Sequence, residues 1–132
     1  MDLENAKAQM RKGVLELCIL AIAGEEEVYP NDIIARLKSN DLIVVEGTLY
    51  PLLTRLKNDG LLEYSWRESN SGPPRKYFKT TAIGQSFLKD LTMSWEQLVQ
   101  SVQLTLQNEN GAGEVIQEEI PPPEATSTFF DE

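Results

Sequence analysis

The stretch VVEGTLYPLLTRLKNDGLLEYSW, residues 44–66, changes its apolar period partway along. Up to Gly60, Leu49, Leu52, Leu53 and Leu56 recur at i, i+3, i+4 and i+7, the spacing that lines one side of a helix. Beyond it, Leu62, Tyr64 and Trp66 alternate with Glu63, Ser65 and Arg67, the pattern of a half-buried strand with all three apolar side chains facing inward. Gly60 stands where a helix needs its C-terminal stop. Pro51 falls within or just beyond the first turn, where it kinks a helix without breaking it. The side of the helix away from the leucines carries Gly47, Tyr50, Pro51, Thr54, Arg55 and Asn58, and packing alone gives that side no purpose.

Reading outward, SNSGPP supplies turn residues after the strand, and RKYFKTT returns as its hairpin partner, with Tyr77 and Phe78 on opposite faces so that one of them is core. Thr81 caps a further helix whose Leu88, Leu91, Trp95, Leu98 and Val102 step by three and four, the spacing of a coiled-coil seam little longer than two heptads. Upstream, residues 5–23 form one predicted helix with Val14, Leu15, Cys18, Ile19 and Ile22 on its apolar side. Pro30 opens a short second helix bearing Ile33, Ile34 and Leu37. Val45 cannot cap the helix of the quoted stretch, which leaves Glu46 or Thr48 for that task.

The formal charge of −9 is unevenly spread. Residues 1–108 hold all 12 basic and 14 acidic residues, whereas 109–132 hold seven acidic and no basic ones. Between residues 47 and 79 six cations face three acids, and phosphates respond to local charge within a Debye length of about 8–10 Å. Cys18 is the only cysteine and lies in an apolar run, so it forms no internal disulfide and packs as a small hydrophobe, as in a reducing cytoplasm. The apolar runs are too short to span a bilayer and no leader is apparent, so a cytoplasmic protein without membrane contact is expected. With no histidine and no glycine-rich phosphate loop, neither catalysis nor a cofactor is expected. Glu25, Glu26 and Glu27 read as a solvated loop, since no His or Cys completes a metal set.

The element order predicts a mainly α fold with a small β-hairpin: a winged helix-turn-helix over 1–79, a dimerisation helix over 80–108 and an acidic, disordered tail over 109–132. In that arrangement the polar side of the third helix, with Tyr50, Thr54 and Arg55, enters a DNA major groove. EGTLYPLLTRLKNDGLL, YSWRES and SGPPRKYFKTT, in this order and spacing, resemble the signature of PadR-type transcriptional regulators over about residues 11–102. The resemblance implies a homodimer that binds double-stranded operator DNA through the third helix and the wing, mostly as a repressor, and that in several members is released by a small aromatic ligand.

Carried onto this sequence, the family pattern assigns DNA contact to Thr48, Tyr50, Pro51 and Arg55 on the helix and to Arg75 and Lys76 on the wing, with Arg11 and Lys12 near the backbone. The dimer seam comprises Leu88, Leu91, Trp95, Leu98 and Val102. Trp95 admits two readings: it fills the interface, or with its symmetry mate it walls a slot for a planar ligand. Trp66 reads as a packing residue. The alternative function is a winged-helix protein-interaction module that does not bind DNA, which salt dependence would separate from a DNA binder.

Overall fold

The computed structural model describes residues 1–110, so the tail expected over 109–132 falls almost wholly outside the described residues. The chain divides into a unit Met1–Ser94 and a second that begins at Trp95. The first holds α1 (Leu3–Lys12), α2 (Leu15–Glu25), α3 (Pro30–Ser39), α4 (Glu46–Asn58), an antiparallel hairpin of β1 (Leu62–Ser69) and β2 (Gly72–Thr80), and the start of α5 (Ala82–Asn110). Mostly helical with one two-stranded hairpin, it is the expected winged-helix fold.

The single helix expected over 5–23 is two. The N–H of Gly13 and that of Val14 both turn back to the Arg11 carbonyl, the latter at 3.0 Å, so the four-residue ladder is interrupted there. Glycine lowers the cost of such a break, being about 1 kcal/mol less favourable than alanine inside a helix. Burial changes at the same point: α1 buries no residue, whereas α2 buries Leu15, Ile19, Leu20, Ile22 and Ala23 and is apolar on nearly every side. That makes α2 the central element of the core, with α3, α4 and the hairpin packed around it through Ile33, Leu37, Leu49, Leu53, Leu56, Leu62 and Phe78.

Helix α4 buries Leu49, Leu53 and Leu56 as the period requires. Neither Glu46 nor Thr48 caps it: Val45 is the cap residue without a side-chain bond, and the N–H groups of Thr48 and Leu49 both donate to the Val45 carbonyl. A capping oxygen must precede the first turn on extended backbone, and both candidates already lie inside the helix. Pro51, the sixth residue, removes one N–H from the ladder, yet the helix runs on to Asn58. At the far end Gly60 adopts φ +81°, which lets the Leu61 N–H reach the Leu56 carbonyl at 2.9 Å.

The hairpin pairs Leu62 with Thr80, Tyr64 with Phe78 and Trp66 with Lys76. Its base is fixed twice: Val28 exchanges both backbone hydrogen bonds with Phe78, at 3.0 and 2.8 Å, and the buried Thr80 hydroxyl donates to the Leu20 carbonyl at 2.9 Å. The Thr81 hydroxyl accepts from the Gly84 N–H at 2.9 Å, the expected cap, and donates to the Gly60 carbonyl at 2.7 Å, tying the start of α5 to the end of α4. Gly84 permits that approach, because a Cβ there would overlap the Leu61 carbonyl oxygen and lie 2.7 Å from Thr80 Cγ2. Gly84→Ala is therefore expected to destabilise the fold by about 1–3 kcal/mol through backbone displacement. A thermal melt checks this, and an unchanged midpoint would show that the joint is looser than described.

The described part of the second unit is the continuation of α5 from Trp95, on which Trp95, Leu98, Val102, Leu104 and Leu106 are exposed. No described helix is long and apolar enough to cross a membrane.

Candidate nucleic-acid interface

At 100° per residue the outer side of α4 sorts into three ridges. Tyr50, Thr54 and Lys57 form the ridge toward the hairpin and line one groove with it. Gly47, Pro51 and Asn58 lie along the middle, and Thr48 and Arg55 take the opposite flank. The groove has a volume of about 610 Å³ between α4, the start of α3 and the hairpin, and Arg75 and Lys76 of β2 also line it. Four of the expected contact residues, Tyr50, Thr54, Arg75 and Lys76, are thus brought together. Thr48, Pro51 and Arg55 belong to the same helix but not to the groove, and Arg11 and Lys12 occupy the last turn of α1.

Charge is partitioned around this groove. Lys57, Arg75 and Lys76 line it, and no carboxylate does. Three other arginines are tied down elsewhere. Arg55 Nε donates to Glu16 at 2.8 Å with a second guanidinium nitrogen on the same oxygen, Arg36 pairs with Glu25 at 3.0 Å, and Arg67 pairs with Glu27. The acidic loop expected to be merely solvated thus fastens α3 and the hairpin to the end of α2.

Among the described residues the three groove cations have aromatic rings as neighbours instead of carboxylates. Arg75 lies 4.6 Å over the Tyr29 ring, Lys76 4.3 Å over Tyr64 and 5.5 Å from Trp66, and Lys57 5.8 Å from Tyr64. These distances fall within cation–π range, which orients a cation while leaving its N–H donors free. Burial first, then the Glu46 carboxylate and Tyr29, pushes the Tyr50 phenol above its ordinary value, so it remains an O–H donor at neutral pH. Burial likewise raises the Cys18 thiol, which packs against the core.

Tyr29, Lys57, Tyr64 and Trp66 are the groove residues that sequence reasoning missed. Trp66, expected to pack inward, is 61% exposed. The alternation was sound: Leu62, Tyr64 and Trp66 share a face, but exposure climbs from 2% through 37% to 61% as the two-stranded ribbon outruns the helices beneath it. A signal was available in Lys76, since a lysine directly across from Trp66 marks that end of the face as wet.

The model of the transcriptional regulator PadR-like family matches residues 19–90. Among solved structures, the chain is similar to a PadR-like transcription factor from Bacteroides fragilis at 58% identity and TM-score 0.65, covering 76% of this chain and 98% of that one. It is similar to a PadR family transcriptional regulator from Eggerthella lenta at 30% identity and TM-score 0.74, over 80% and 92% of the two chains. Transcriptional regulator Rv3488 of Mycobacterium tuberculosis is 31% identical over 94 residues, 71% of this chain and 87% of that protein. With more than half its length matched and these relatives covered nearly end to end, the chain belongs to the PadR-like family of transcriptional regulators, which are not enzymes.

Proposed function

We propose that the protein is a sequence-specific DNA-binding repressor that acts as a homodimer, with α4 in the major groove and the hairpin as a wing on the adjoining backbone. The observation that carries this reading is the partition of charge: three cations and no carboxylate line the groove beside the outer ridge of α4, while Arg36, Arg55 and Arg67 are neutralised by glutamates. The open first turn of α4 adds uncapped N–H groups of the kind that phosphate oxygens accept from. Tyr50, Thr54 and Pro51 would meet base edges, Thr48 the start of the major groove, Arg75 and Lys76 the phosphates, and Arg11 and Lys12 the flanking backbone. Arg55 keeps this role despite Glu16, because a guanidinium has five donors and its side chain is 62% exposed.

The dimer in this reading forms through Leu88, Leu91, Trp95, Leu98 and Val102. Leu88 is half-buried and packs against the core of the first unit, whereas Trp95, Leu98 and Val102 are exposed on the second. Helix α1, with Leu3 and Met10 exposed and nothing buried, shares in the interface. Trp95 would also face a small aromatic ligand that releases the DNA.

A band shift against the DNA upstream of its own gene tests the reading. Tyr50→Ala and Arg55→Ala are each expected to weaken specific binding by about 1–3 kcal/mol, roughly tenfold to a hundredfold, with the melting midpoint unchanged in the tyrosine variant. Unaltered affinity in both would remove α4 from the interface. Binding that ignores salt would favour a protein partner instead, since counterion release makes DNA affinity fall log-linearly with salt.

A further inference from the structure

We propose that Gly47 sets how deeply α4 seats in the major groove, and that its carbonyl, which Pro51 leaves without a helical donor, accepts a hydrogen bond from the exocyclic amino group of an adenine or cytosine. The inference rests on the reading that α4 enters the major groove, and adds the base chemistry met there.

Glycine and proline are the residues that helix formation disfavours most, and α4 carries both on its outer side. The fold explains neither. Gly60 is required by its φ and Gly84 by the nearby Leu61 carbonyl, but Gly47 lies outside the left-handed region and a Cβ added to it meets nothing within 4 Å. Pro51 is exposed and takes no part in the core.

What the two residues share is position. At 100° per residue Gly47, Pro51 and Asn58 fall within about 40° of one another, all exposed, with Tyr50 and Thr54 on one flank and Thr48 and Arg55 on the other. The strip is lowest at Gly47, where no side chain stands between the helix backbone and whatever the outer side meets. A surface that fits between the flanks reaches the backbone there, which is the use a glycine serves at a close approach to a ligand.

Pro51 adds a hydrogen-bond acceptor at the same place. In an α-helix the N–H of residue 51 would donate to the carbonyl of residue 47, and proline has none to give. Crowding by a proline ring also tilts such a carbonyl away from the helix axis. The donors that base edges present in the major groove are the amino groups of adenine and cytosine, so an exposed acceptor on this strip selects for one of them.

The experiment uses the full chain and a duplex that it selects from a randomised pool. Gly47→Ala is expected to raise the melting midpoint by about 2–6 °C, because alanine restricts the unfolded chain and fits the open space. The same variant is expected to bind the selected duplex about tenfold more weakly, with a change of less than about threefold on a random duplex. Opposite signs in stability and affinity separate a DNA contact from a structural role. Single replacements of adenine by purine, or of cytosine by 2-pyrimidinone, each remove one amino group, and at one position per half-site the loss is expected to be about tenfold. Pro51→Ala returns an N–H to the Gly47 carbonyl, and at that position its loss is expected to shrink to less than about twofold. Unchanged affinity for the selected duplex in Gly47→Ala, or a lowered midpoint, would overturn the inference while the DNA reading stands. Amino replacements that cost the parent nothing, or cost Pro51→Ala as much as the parent, would overturn the carbonyl contact. A parent that selects no duplex from the pool would remove the DNA reading itself.

Discussion

Replacing Lys57, Arg75 and Lys76 together by alanine is expected to lower affinity for specific and random duplexes alike, on the order of a hundredfold per half-site near 0.15 M salt. The figure follows from counterion release, in which each neutralised phosphate contributes about 0.9 to the slope of log affinity against log salt, so three lost contacts flatten that slope by about three units. The loss should be uniform across sequences, because ammonium groups and a guanidinium on a wing meet phosphates and carry no base information. Folding should survive. The three side chains make no ion pair among the described residues, and their contacts with half-exposed rings are worth about 0.5–1 kcal/mol each. Titrations at several salt concentrations, with a melt of the variant beside them, decide the matter: a loss confined to the specific site, or an unchanged salt slope, would mean that these cations do not touch the backbone.

The inclusion of Lys57 shows where sequence reading stops. Its helix, the leucine side and the stop at Gly60 were legible because each depends on residues within one or two turns. Arg75 and Lys76 were legible as a wing for the same reason. Lys57 and Arg55 are two residues apart on α4, and by spacing alone the second was the stronger candidate. What separates them is Glu16, 39 positions away on α2, which takes hold of Arg55, while Lys57 faces the groove. Trp66 failed as a core residue because alternation reports which face a side chain takes, and says nothing of whether anything covers that face. The break at Gly13 is of the same kind: the apolar side runs through it, but only the half after it finds a partner within the first unit.

The glutamates thereby take on a positive role in siting the interface. Glu25 and Glu27, on either side of the α2 C-terminus, hold Arg36 and Arg67, and Glu16 holds Arg55. Exposed pairs of this sort add little to stability, roughly 0–1 kcal/mol each. Their larger effect is on the field, since each offsets a cation away from the groove, while Lys57, Arg75 and Lys76 beside the outer ridge of α4 have no carboxylate partner among the described residues. A chain that is net acidic can in this way present one basic surface.

Trp95→Glu combined with Leu98→Glu is expected to convert the protein to a monomer and to reduce operator affinity by about a hundredfold to ten-thousandfold, the range in which two linked half-site contacts exceed one. Trp95, Leu98 and Val102 are 41%, 56% and 47% exposed along one stripe stepping by three and four, and each large apolar side chain fully covered by a symmetry mate contributes about 1.5–3 kcal/mol. A two-fold axis counts every contact twice, so two glutamates remove four apolar side chains and set like charges against each other. Sedimentation reads the oligomeric state, and a double variant that remains dimeric would show that the seam lies elsewhere. Trp95 alone separates packing from sensing. In a Trp66→Phe background a neutral or cationic planar dye is expected to quench Trp95 saturably with micromolar affinity, about −8 kcal/mol, and Trp95→Ala is expected to lose that binding, read from the dye's own fluorescence, while staying dimeric at high protein concentration. Linkage then supplies the decisive comparison. If the dye weakens operator binding by some factor, the operator must weaken dye binding by the same factor, and a dye that binds free and DNA-bound dimer equally well is not the signal that releases the DNA.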